Sequence, residues 1–553
     1  MDILLARENG RLELTPLADG AAQSTERLTP AELPARVAAL ERGDVRWVWA
    51  DTRTLYPALL AAGVRVARCV DLRLCHPILR HSVWTRGSAL ARRPASRWDA
   101  AAAAVDDVPT LLDELGRPDD VPTAELAAEH RDQQQAIAGS DHPGRLRLLA
   151  AAESAGGLLA AEMRHVGMPF DVAVHDRRLT ELLGPRPLPG GRPARLERLV
   201  EQIRELLGSP GLNPDSQPAL LRALRSAGVE VSSTRRFELE SADHPVIPVL
   251  LQYKKLARLL AANGWAWADA WVRRGRFHPD YVPGGVVTGR WATEGGGALQ
   301  LPKQVRAAVA ADAGWRLVVA DAAQLEPRVL AAMAGDAAMA RASRGHDLYA
   351  ALVDDGVVAT RPQAKLAMLS ALYGATSGEA GQLMPELLRA YPTATGVVEQ
   401  AARDGERGQR VHTWLGRTSP LPGEGWRAGQ QRANLPDATA ADERLARRQA
   451  RDWGRFTRNF VVQGSAAEWA LCWLAAVRRD LAAVAASTTA DQRPDLVYFL
   501  HDEIMVHTPA ELADPVAEIV RAGAAEAGRL MFGDVGVEFA IELSVVQSYA
   551  EAT

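Results

Sequence analysis

Two short apolar strands in the carboxyl-terminal half of the chain each lead into carboxylates. The run 317–320 is apolar and leads directly into Asp321, and a predicted hairpin over 496–508 carries Asp502 and Glu503 at its tip. Taken alone, Asp321 is typical of a helix N-cap, and the hairpin tip is typical of a solvated turn. However, adjacent carboxylates at the end of buried strands are costly unless a cation neutralises them. The hairpin tip therefore favours a neighbouring cation, and Asp321 lies at a strand end, where α/β proteins place reactive groups.

A helical segment over 361–374 carries a stripe of side chains spaced by four residues. Arg361, Lys365, Leu369 and Tyr373 fall on one slowly drifting face. The two cations suit a polyphosphate, and the aliphatic and aromatic residues suit a base and a sugar. A helix with two exposed cations would have the same pattern.

A second stripe places amide and guanidinium groups on one helix face. Arg455, Asn459 and Gln463 step by four and lie next to small residues that allow close approach. Such donors suit the acceptors of a DNA minor groove. Upstream, further arginines extend a basic stripe: Arg444, Arg448 and Arg451. This stripe is equally typical of a solvated helix face.

The length and charge of the chain limit the alternatives. At 553 residues it is too long for one compact core, and a net charge of −4 argues against a uniformly basic nucleic-acid binder. A cationic duplex groove can coexist with acidic metal ligands. We find no apolar run of about 18 residues and no signal-peptide pattern, so no membrane span is expected. The three cysteines form no metal-ligand pattern, which favours a reduced cytoplasmic protein without zinc.

Lysine is rare among the basic residues of this chain. Of 64 Lys and Arg residues only four are lysine: Lys254, Lys255, Lys303 and Lys365. A lysine kept in this background fits a position that needs a compact, titratable ammonium group. Chance retention explains any one of the four equally well.

The pattern of apolar residues predicts an α/β multidomain chain. Short strands and helices alternate over 1–165, with strands over 44–50 and 64–71. A breaker-rich loop follows at 185–193. Residues 194–275 and 322–480 are mainly helical, with a Pro/Gly-rich interruption over 416–437.

The motifs occur in a recognisable order: Thr288-Gly289-Arg290, Asp321-x-x-Gln324-x-Glu326-x-Arg328, Arg361-x-x-x-Lys365 with Tyr373-Gly374, Gln463-Gly464 and His501-Asp502-Glu503. From about Val166 to the carboxyl terminus, this order closely resembles the DNA polymerase I family, family A. The resemblance implies an RNase H-like exonuclease-type domain followed by a right-hand polymerase with an antiparallel palm sheet and helical fingers and thumb. The implied domains are an exonuclease-like domain 1–165, thumb 166–275, first part of the palm 276–340, fingers 341–455 and second part of the palm 456–553.

The resemblance also implies the chemistry of each motif. Asp321, Asp502 and the carbonyl of Ala322 would bind two Mg²⁺ ions, with Mn²⁺ able to substitute, and Glu503 would be an auxiliary carboxylate. Lys365 would also donate a proton to pyrophosphate. The implied dNTP-binding residues are Gln324, Glu326, Arg361, Lys365, Leu369 and Tyr373. The implied DNA-binding residues are Arg290, Arg455, Asn459, Gln463 and His501.

Several positions depart from the family pattern. Leu369 and Ser370 stand where the family has an aromatic residue and a glycine, and Tyr349 stands in place of a phosphate-binding histidine. The stretch 299–306 is short and lacks a phosphate-contacting arginine, for which Lys303 is a candidate substitute. We expect weaker nucleotide affinity and altered discrimination against dideoxynucleotides.

The amino-terminal domain departs further from the proofreading pattern. Two-metal exonuclease chemistry needs about four carboxylates, but no Asp-x-Glu pair occurs within 1–165. Leu55 and Ser154 lie near the positions of two expected aspartates, and Tyr56 is the only tyrosine of this region. We expect a structural remnant without proofreading, and no room for a 5′-nuclease domain.

The sequence therefore predicts a template-directed DNA polymerase that adds dNTPs to a primer 3′-hydroxyl in repair, replication or gap filling. Primer-template DNA and dNTPs are the expected partners of a monomer in the bacterial cytoplasm, associated with the nucleoid. One alternative is a catalytically weak DNA-binding factor that retains the fold, against which both aspartates argue. Another is a single-subunit RNA polymerase, against which Glu326 and Gln463-Gly464 argue.

Overall fold

The computed structural model describes residues 1–8, 10–18, 21–100, 120–297, 301–345, 347–374, 378–489 and 492–552. Within it the chain forms two compact units. The first unit contains Met1–Val166, Tyr281–Thr293 and Val318–Val545. The second unit contains Gly167–Asp280, Glu294–Leu317 and Val546–Thr553.

The amino-terminal part of the first unit is built on a mixed β-sheet. Its strands are β1 (Asp2–Glu8), β2 (Arg11–Ala18), β3 (Ala21–Ala22), β4 (Glu26–Leu28), β5 (Arg46–Trp49) and β6 (Cys69–Asp71). The strand order is β3-β2-β1-β5-β6, with β4 pairing with β2. β1 is antiparallel to β2 but parallel to β5, which is parallel to β6. The strand predicted over 64–71 is thus confined to its last three residues.

Helices accompany this sheet and bury its apolar face. They are α1 (Leu33–Leu40), α2 (Thr52–Ala61), α3 (Leu72–His81), α4 (Ala89–Arg92), α5 (Thr123–Ala138) and α6 (Pro143–Val166). β5 and β6 pass directly into helices whose first turns are capped by Asp51 and Asp71, because a carboxylate satisfies the free N–H groups of a helix start. Trp47, Trp49 and Tyr56 are fully buried in the core between sheet and helices.

The second unit is largely helical, as predicted for 194–275. It contains β7 (Met168–Pro169), α7 (Val172–Leu183), α8 (Ala194–Leu206), α9 (Gln217–Ser226), α10 (Arg236–Glu240), α11 (Val246–Asn263), α12 (Trp265–Trp271), β8 (Val272–Arg273) and β9 (Arg276–Phe277). The unit also includes 294–317 and the carboxyl terminus, which the sequence assigned to the palm. Backbone hydrogen bonds join these segments, from Ala311 N–H to Gln547 O at 2.8 Å and from Tyr549 N–H to Val309 O at 2.9 Å.

A four-stranded sheet of the first unit carries both strand ends singled out in the sequence. After the short pair β10 (Tyr281–Val282) and β11 (Ala292–Thr293), its strands are β12 (Trp315–Ala322), β13 (Asp495–Leu500), β14 (Glu503–Pro509) and β15 (Ile541–Val546). The order is β13-β14-β12-β15, and β13 and β14 form the predicted antiparallel hairpin. Asp321 lies within β12, so it is not the N-cap of the following helix; that position is Gln324.

The helices that surround this sheet are α13 (Leu325–Ala334), α14 (Ala337–Ala342), α15 (Leu348–Asp354), α16 (Arg361–Tyr373), α17 (Gly378–Ala390), α18 (Pro392–Glu406), α19 (Glu424–Ala433), α20 (Ala440–Ala485) and α21 (Ala513–Phe532). α19 lies inside the stretch predicted as an interruption and has no buried residue, so no apolar periodicity marked it. In the part of the chain that the structure describes, only α20 is long and apolar enough to cross a membrane. Since 89% of its most apolar stretch is buried in the protein, α20 is typical of a core helix.

All three cysteines, Cys69, Cys75 and Cys472, are buried and free. Burial raises the pKa of each thiol well above its ordinary value, so the reactive thiolate is disfavoured.

Candidate functional site

The two carboxylates predicted to cooperate lie at adjoining ends of the four-stranded sheet. The backbone N–H of Ala322 donates to the carbonyl oxygen of Asp502 at 2.9 Å, so the end of β12 abuts the hairpin tip. Burial and the negative charges of Asp502, Glu503 and Glu542 raise the pKa of Asp321 to about 7. Burial is also the main cause that raises the pKa of Asp502 to about 6. The structure therefore brings Asp321, Asp502 and Glu503 into one electrostatic group.

This group has the donor chemistry of a divalent-cation site. Carboxylate and carbonyl oxygens are the ligands that Mg²⁺ prefers, and raised carboxyl pKa values mark negative charge that a cation would offset. The described residues contain no cluster of three or more His, Cys, Asp or Glu side chains poised around a metal position. The set predicted here has two such side chains and the carbonyl of Ala322, and its role as a metal site stays a prediction.

Arg290 is the centre of a polar cluster that joins the separate motifs. Its guanidinium forms an ion pair with Glu326, and the Glu326 carboxylate also accepts a hydrogen bond from the Tyr373 hydroxyl. Burial is the main cause that raises the pKa of Tyr373, and the neighbouring side chain of Gln463 lowers it. After burial, the Arg290 charge is the second cause that lowers the pKa of His501.

Two glycines allow the backbones of this cluster to approach each other. Gly289 has a φ of +87°, a left-handed conformation that disfavours other residues. A β-carbon on Gly464 of α20 would lie 3.0 Å from the carbonyl oxygen of Thr288 and 2.3 Å from Cγ2 of Thr413. These contacts leave no space for a side chain, so the Gln463-Gly464 and Thr288-Gly289 motifs are packed backbone to backbone.

The stripe predicted along 361–374 lies on α16, as expected. Arg361 and Lys365 are exposed, whereas Leu369 and Tyr373 are half-buried. Arg361 donates to Asp347 at 2.5 Å, and its guanidinium carbon lies 5.7 Å from the ring centroid of Tyr349. The cationic start and the apolar continuation of the stripe are thus arranged as the sequence indicated.

Gln324 has its side-chain amide engaged within the protein. It donates to Asp347 at 3.0 Å and accepts from the backbone N–H of Leu348 at 2.8 Å. With a φ of +53°, Gln324 fixes the turn between β12 and α13 and joins it to the start of α15. Its predicted contact with dNTP stays a prediction.

The residues predicted to bind DNA on α20 are partly available to a ligand. Arg455 is exposed and forms an ion pair with Asp452, as is usual for a solvated face. Asn459 is half-buried, and its Oδ1 is buried without a hydrogen-bond partner. The upstream arginines of the basic stripe are also exposed.

Of the shortened stretch 299–306, residues 299 and 300 lie outside the described residues. Lys303 is exposed and belongs to the second unit. Its role as a substitute for the missing arginine stays a prediction.

At the positions where an exonuclease would have metal-binding carboxylates, the side chains are packed in the core or form hydrogen bonds within the protein. Leu55 is 6% exposed in the core. The Tyr56 hydroxyl donates to Glu162 at 2.6 Å, and the Ser154 hydroxyl donates to the Ala150 carbonyl at 2.8 Å. Residues 101–119 of the predicted exonuclease-like domain lie outside the described part of the chain.

Two carboxylates of this region meet at neighbouring strand ends, which the sequence analysis missed. Asp51 and Asp71 line a cleft of ≈ 440 Å³, and burial together with Asp51 raises the pKa of Asp71 to about 7. However, Asp71 accepts from the backbone N–H groups of Thr52 and Leu74 at 2.8 and 2.9 Å. Asp51 lies 3.5 Å from Nε of Arg73. Both carboxylates act as helix caps here.

Two further residues of the site were also missed. Glu542 on β15 acts on Asp321, and Asp347 holds Arg361 and Gln324. Arg328, which the sequence motif includes, is buried. The Arg328 guanidinium donates to backbone carbonyls, including those of Ala323 and Gly345 at 2.8 Å. Apolar and polar residues alternate over 541–544, so Glu542 is expected on the opposite face of β15 from Ile541 and Leu543. No local signal, however, places β15 beside β12.

Comparisons with known proteins point to one family. The family model of DNA polymerase family A matches residues 193–551. DNA polymerase I of Chloroflexus aurantiacus is 26% identical over 379 residues, covering 64% of this chain and 37% of that protein. The thermostable DNA polymerase I of Thermus aquaticus is 26% identical over 367 residues, covering 59% and 41%. The chain thus spans about two fifths of the length of these relatives.

The fold is also similar to a solved structure described as the POL domain of Pol1 from M. smegmatis in complex with DNA primer-template and dNTP. The TM-score is 0.70 at 17% sequence identity, covering 100% of this chain and 95% of that one. At this identity the likeness concerns the fold alone. Because the family model matches well over half of the residues, and its motifs converge on one cluster in the structure, the chain belongs to DNA polymerase family A.

Proposed function

We propose that this chain is a template-directed DNA polymerase that adds dNTPs to a primer 3′-hydroxyl. The observation that carries the proposal is the convergence of Arg290, Glu326, Tyr373 and Gln463 beside Asp502. The cluster combines recognition groups with half-buried carboxylates, which suits phosphoryl transfer because positioning and charge neutralisation dominate its catalysis. The M. smegmatis structure, described with primer-template and dNTP, supports these two ligands.

The reaction forms a bond between the primer 3′-oxygen and the α-phosphorus of the dNTP, and breaks the bond from that phosphorus to the leaving pyrophosphate. Asp321, Asp502 and the carbonyl of Ala322 would hold two Mg²⁺ ions, with Mn²⁺ able to substitute. Bound there, the ions would lower the pKa of the 3′-hydroxyl and neutralise the triphosphate. Glu503 adds negative charge beside the pair, consistent with an auxiliary role.

The nucleotide-binding role falls to α16 and to Glu326. Arg361 and Lys365 present exposed cations for the triphosphate, and Lys365 donates a proton to the leaving pyrophosphate. Glu326, fixed between Arg290 and Tyr373, excludes a ribose 2′-hydroxyl. Leu369 offers the base an aliphatic surface, so nucleotide affinity is weaker than with an aromatic ring.

The DNA-binding role falls to the groups around Arg290. Arg290, Asn459 and Gln463 offer donors to the minor groove of the nascent pair, while Tyr373 shapes the template pocket. His501, at the hairpin tip with a φ of +57°, contacts the primer terminus. Arg455 provides a phosphate contact at the edge of the basic stripe.

We further propose that the amino-terminal domain has no proofreading activity. The support is that Leu55, Tyr56 and Ser154 are committed to packing or internal hydrogen bonds, and that Asp51 and Asp71 cap helices. Wild-type protein should release no nucleotides from single-stranded DNA with Mg²⁺ or Mn²⁺. Metal-dependent digestion that a substitution within 1–165 abolishes would contradict this.

The cellular setting follows from the same chemistry. An enzyme without proofreading suits short synthesis in repair or gap filling, as a monomer on primer-template DNA. The buried, free cysteines are compatible with a reduced cytoplasm, where the nucleoid supplies the template.

Primer extension with Mg²⁺ and dNTPs tests the proposed function. Wild type should extend the primer, and Asp321→Ala should lower the rate by ~10³-fold or more because one of the two carboxylates that would hold the metal ions is lost. Asp514→Ala, which removes an exposed carboxylate from the first turn of α21, is the matched control and should keep wild-type rates. A wild type that binds primer-template but does not extend it would support the catalytically weak binding factor instead. Efficient use of ribonucleotides by the wild type would support the RNA polymerase alternative.

A further inference from the structure

Helix α6 of the amino-terminal region carries a buried acid that reaches into the polymerase-type part of the chain. Glu153, next to the Ser154 position, is 1% exposed. Its carboxylate forms an ion pair with Arg417, which lies between α18 and α19. Breaking such a buried pair leaves an uncompensated charge, so each partner strongly restricts the position of the other.

The Glu153–Arg417 pair lies directly against the loop that joins β10 to β11. A β-carbon built on Gly289 would lie 2.5 Å from Nε and 2.9 Å from Cζ of Arg417. A β-carbon on Gly284 would lie 3.4 Å from Oε2 of Glu153. The Arg417 guanidinium therefore fills the space beside the residue that immediately precedes Arg290.

The same helix also contacts the residue that follows Arg290. A β-carbon on Gly156 of α6 would lie 3.4 Å from Cζ2 of Trp291. Trp291 is 2% exposed, and its ring packs against Tyr281 and Phe499 with centroid separations of 5.2 and 5.0 Å. Helix α6 thus contacts Trp291 directly and reaches Gly289 through Arg417, the ion-pair partner of Glu153.

We propose that Glu153, acting through Arg417, is a positioning residue that sets the orientation of Arg290 and thereby the discrimination of the nascent base pair. The amino-terminal domain is then a working part of the polymerase site, although its own nuclease chemistry is absent. This inference rests on the proposed polymerase function, because Arg290 must contact the nascent pair for its orientation to affect selection.

A second buried acid on α6 provides a matched control. Glu162 is 5% exposed and also forms an ion pair across to the other part of the first unit, with Arg478 of α20 at 2.7 Å. Its other described partners are the Tyr56 hydroxyl and Arg65. Glu162 therefore joins α6 to α20, and none of these contacts involves the loop between β10 and β11 that carries Arg290.

The test compares Glu153→Gln with Glu162→Gln. For each variant we would measure the melting temperature, and kcat/KM for the correct dNTP, a mismatched dNTP and the matching ribonucleotide, at a temperature where all proteins are folded. Glu153→Gln should lower kcat/KM for the correct dNTP by ~10-fold and lower the correct-to-mismatched ratio by a similar factor, since small displacements of positioning groups cost up to ~10²-fold. Glu162→Gln should lower the melting temperature while keeping the wild-type ratios.

An unchanged ratio in a folded Glu153→Gln variant would overturn the inference, as would an equal change in Glu162→Gln. If Glu153→Gln does not fold, Arg417→Lys takes its place, because it keeps the charge but loses the planar guanidinium beside Gly289; the same fall in the ratio is expected, and an unchanged ratio again overturns the inference. A wild type that extends no primer removes the proposed function and the inference together. If the wild type extends primers but Glu153→Gln leaves the correct-to-mismatched ratio of kcat/KM unchanged, only the inference is refuted and the proposed function stands.

Discussion

Glu468 on α20 gives the sharpest test of the electrostatics beneath this site. Its side chain is 1% exposed, accepts from the backbone N–H of Leu415 at 2.9 Å and accepts from the Thr413 hydroxyl. Both hydrogen bonds favour the carboxylate, yet burial dominates and raises the pKa of Glu468 to about 7. Above this pH the folded chain carries a buried charge that the unfolded chain exposes to water. Glu468→Gln removes the charge and keeps an acceptor.

The magnitude follows from the difference between the folded and the ordinary pKa. A change from 4.5 to about 7 corresponds to about 3 kcal/mol, at roughly 1.4 kcal/mol for each pH unit. Because the folded pKa is the higher one, the contribution of Glu468 to the free energy of unfolding is fully present below pH ~4.5 and is lost as the pH rises through about 7. Glu468→Gln has no such loss. The stability of the variant relative to wild type should therefore rise by about 3 kcal/mol from pH 4.5 to 8.

Urea unfolding of both proteins at a series of pH values measures this difference. Glu162→Gln is the control, because the pKa of Glu162 is shifted in the opposite direction: burial alone would raise it, but Arg478 and Arg65 hold it below its ordinary value. Its stabilisation is present above the ordinary pKa and is lost as the pH falls, so this control should show a constant difference from wild type between pH 5.5 and 8. A constant difference for Glu468→Gln across pH 4.5 to 8 would refute the reasoning.

Three further changes probe nucleotide selection and packing. Leu369→Phe should lower the apparent KM for dNTP by ~3- to 10-fold in steady-state primer extension, since aromatic contacts contribute about 1 kcal/mol; an unchanged or higher KM would count against the proposed stripe. Glu326→Ala should lower the dNTP-to-ribonucleotide ratio of kcat/KM by ~10-fold or more and release the Tyr373 hydroxyl; an unchanged ratio would rule out its role in sugar selection. Gly464→Ala should lower the free energy of unfolding by about 1–3 kcal/mol in thermal melts, because its β-carbon would lie 3.0 Å from the Thr288 carbonyl; a neutral effect would show that the backbones separate readily.

Those parts of the site that have a local signature could be predicted from the sequence. Three elements follow from the pattern of neighbouring residues alone, and the structure confirms all three. They are the strand that ends near Asp321, the hairpin around Asp502 and the helix α16 with its four-residue spacing. Their convergence was inferred from the order of the motifs. Geometry adds what order alone does not give, namely that Glu326 is shared between Arg290 and Tyr373.

The residues that were missed depend on long-range contacts. Asp347 and Glu542 are ordinary acidic positions until α15 and β15 are placed beside the site. Glu153 and Arg417 are 264 positions apart in the chain, and nothing in either neighbourhood predicts their ion pair. Helix α19, which buries no side chain, lacks the apolar periodicity on which helix prediction depends.

The burial of all three cysteines has a practical consequence for measuring movements of this chain. Thiol-directed dyes react with accessible thiolates. Because the three natural cysteines are buried, the folded native chain should react with these dyes only weakly. A single cysteine introduced at an exposed position of α16, for example by Pro362→Cys, would accept one fluorophore. The three natural cysteines would not have to be removed first. Nucleotide-dependent movement of that helix would then be open to single-molecule fluorescence on the otherwise unaltered sequence.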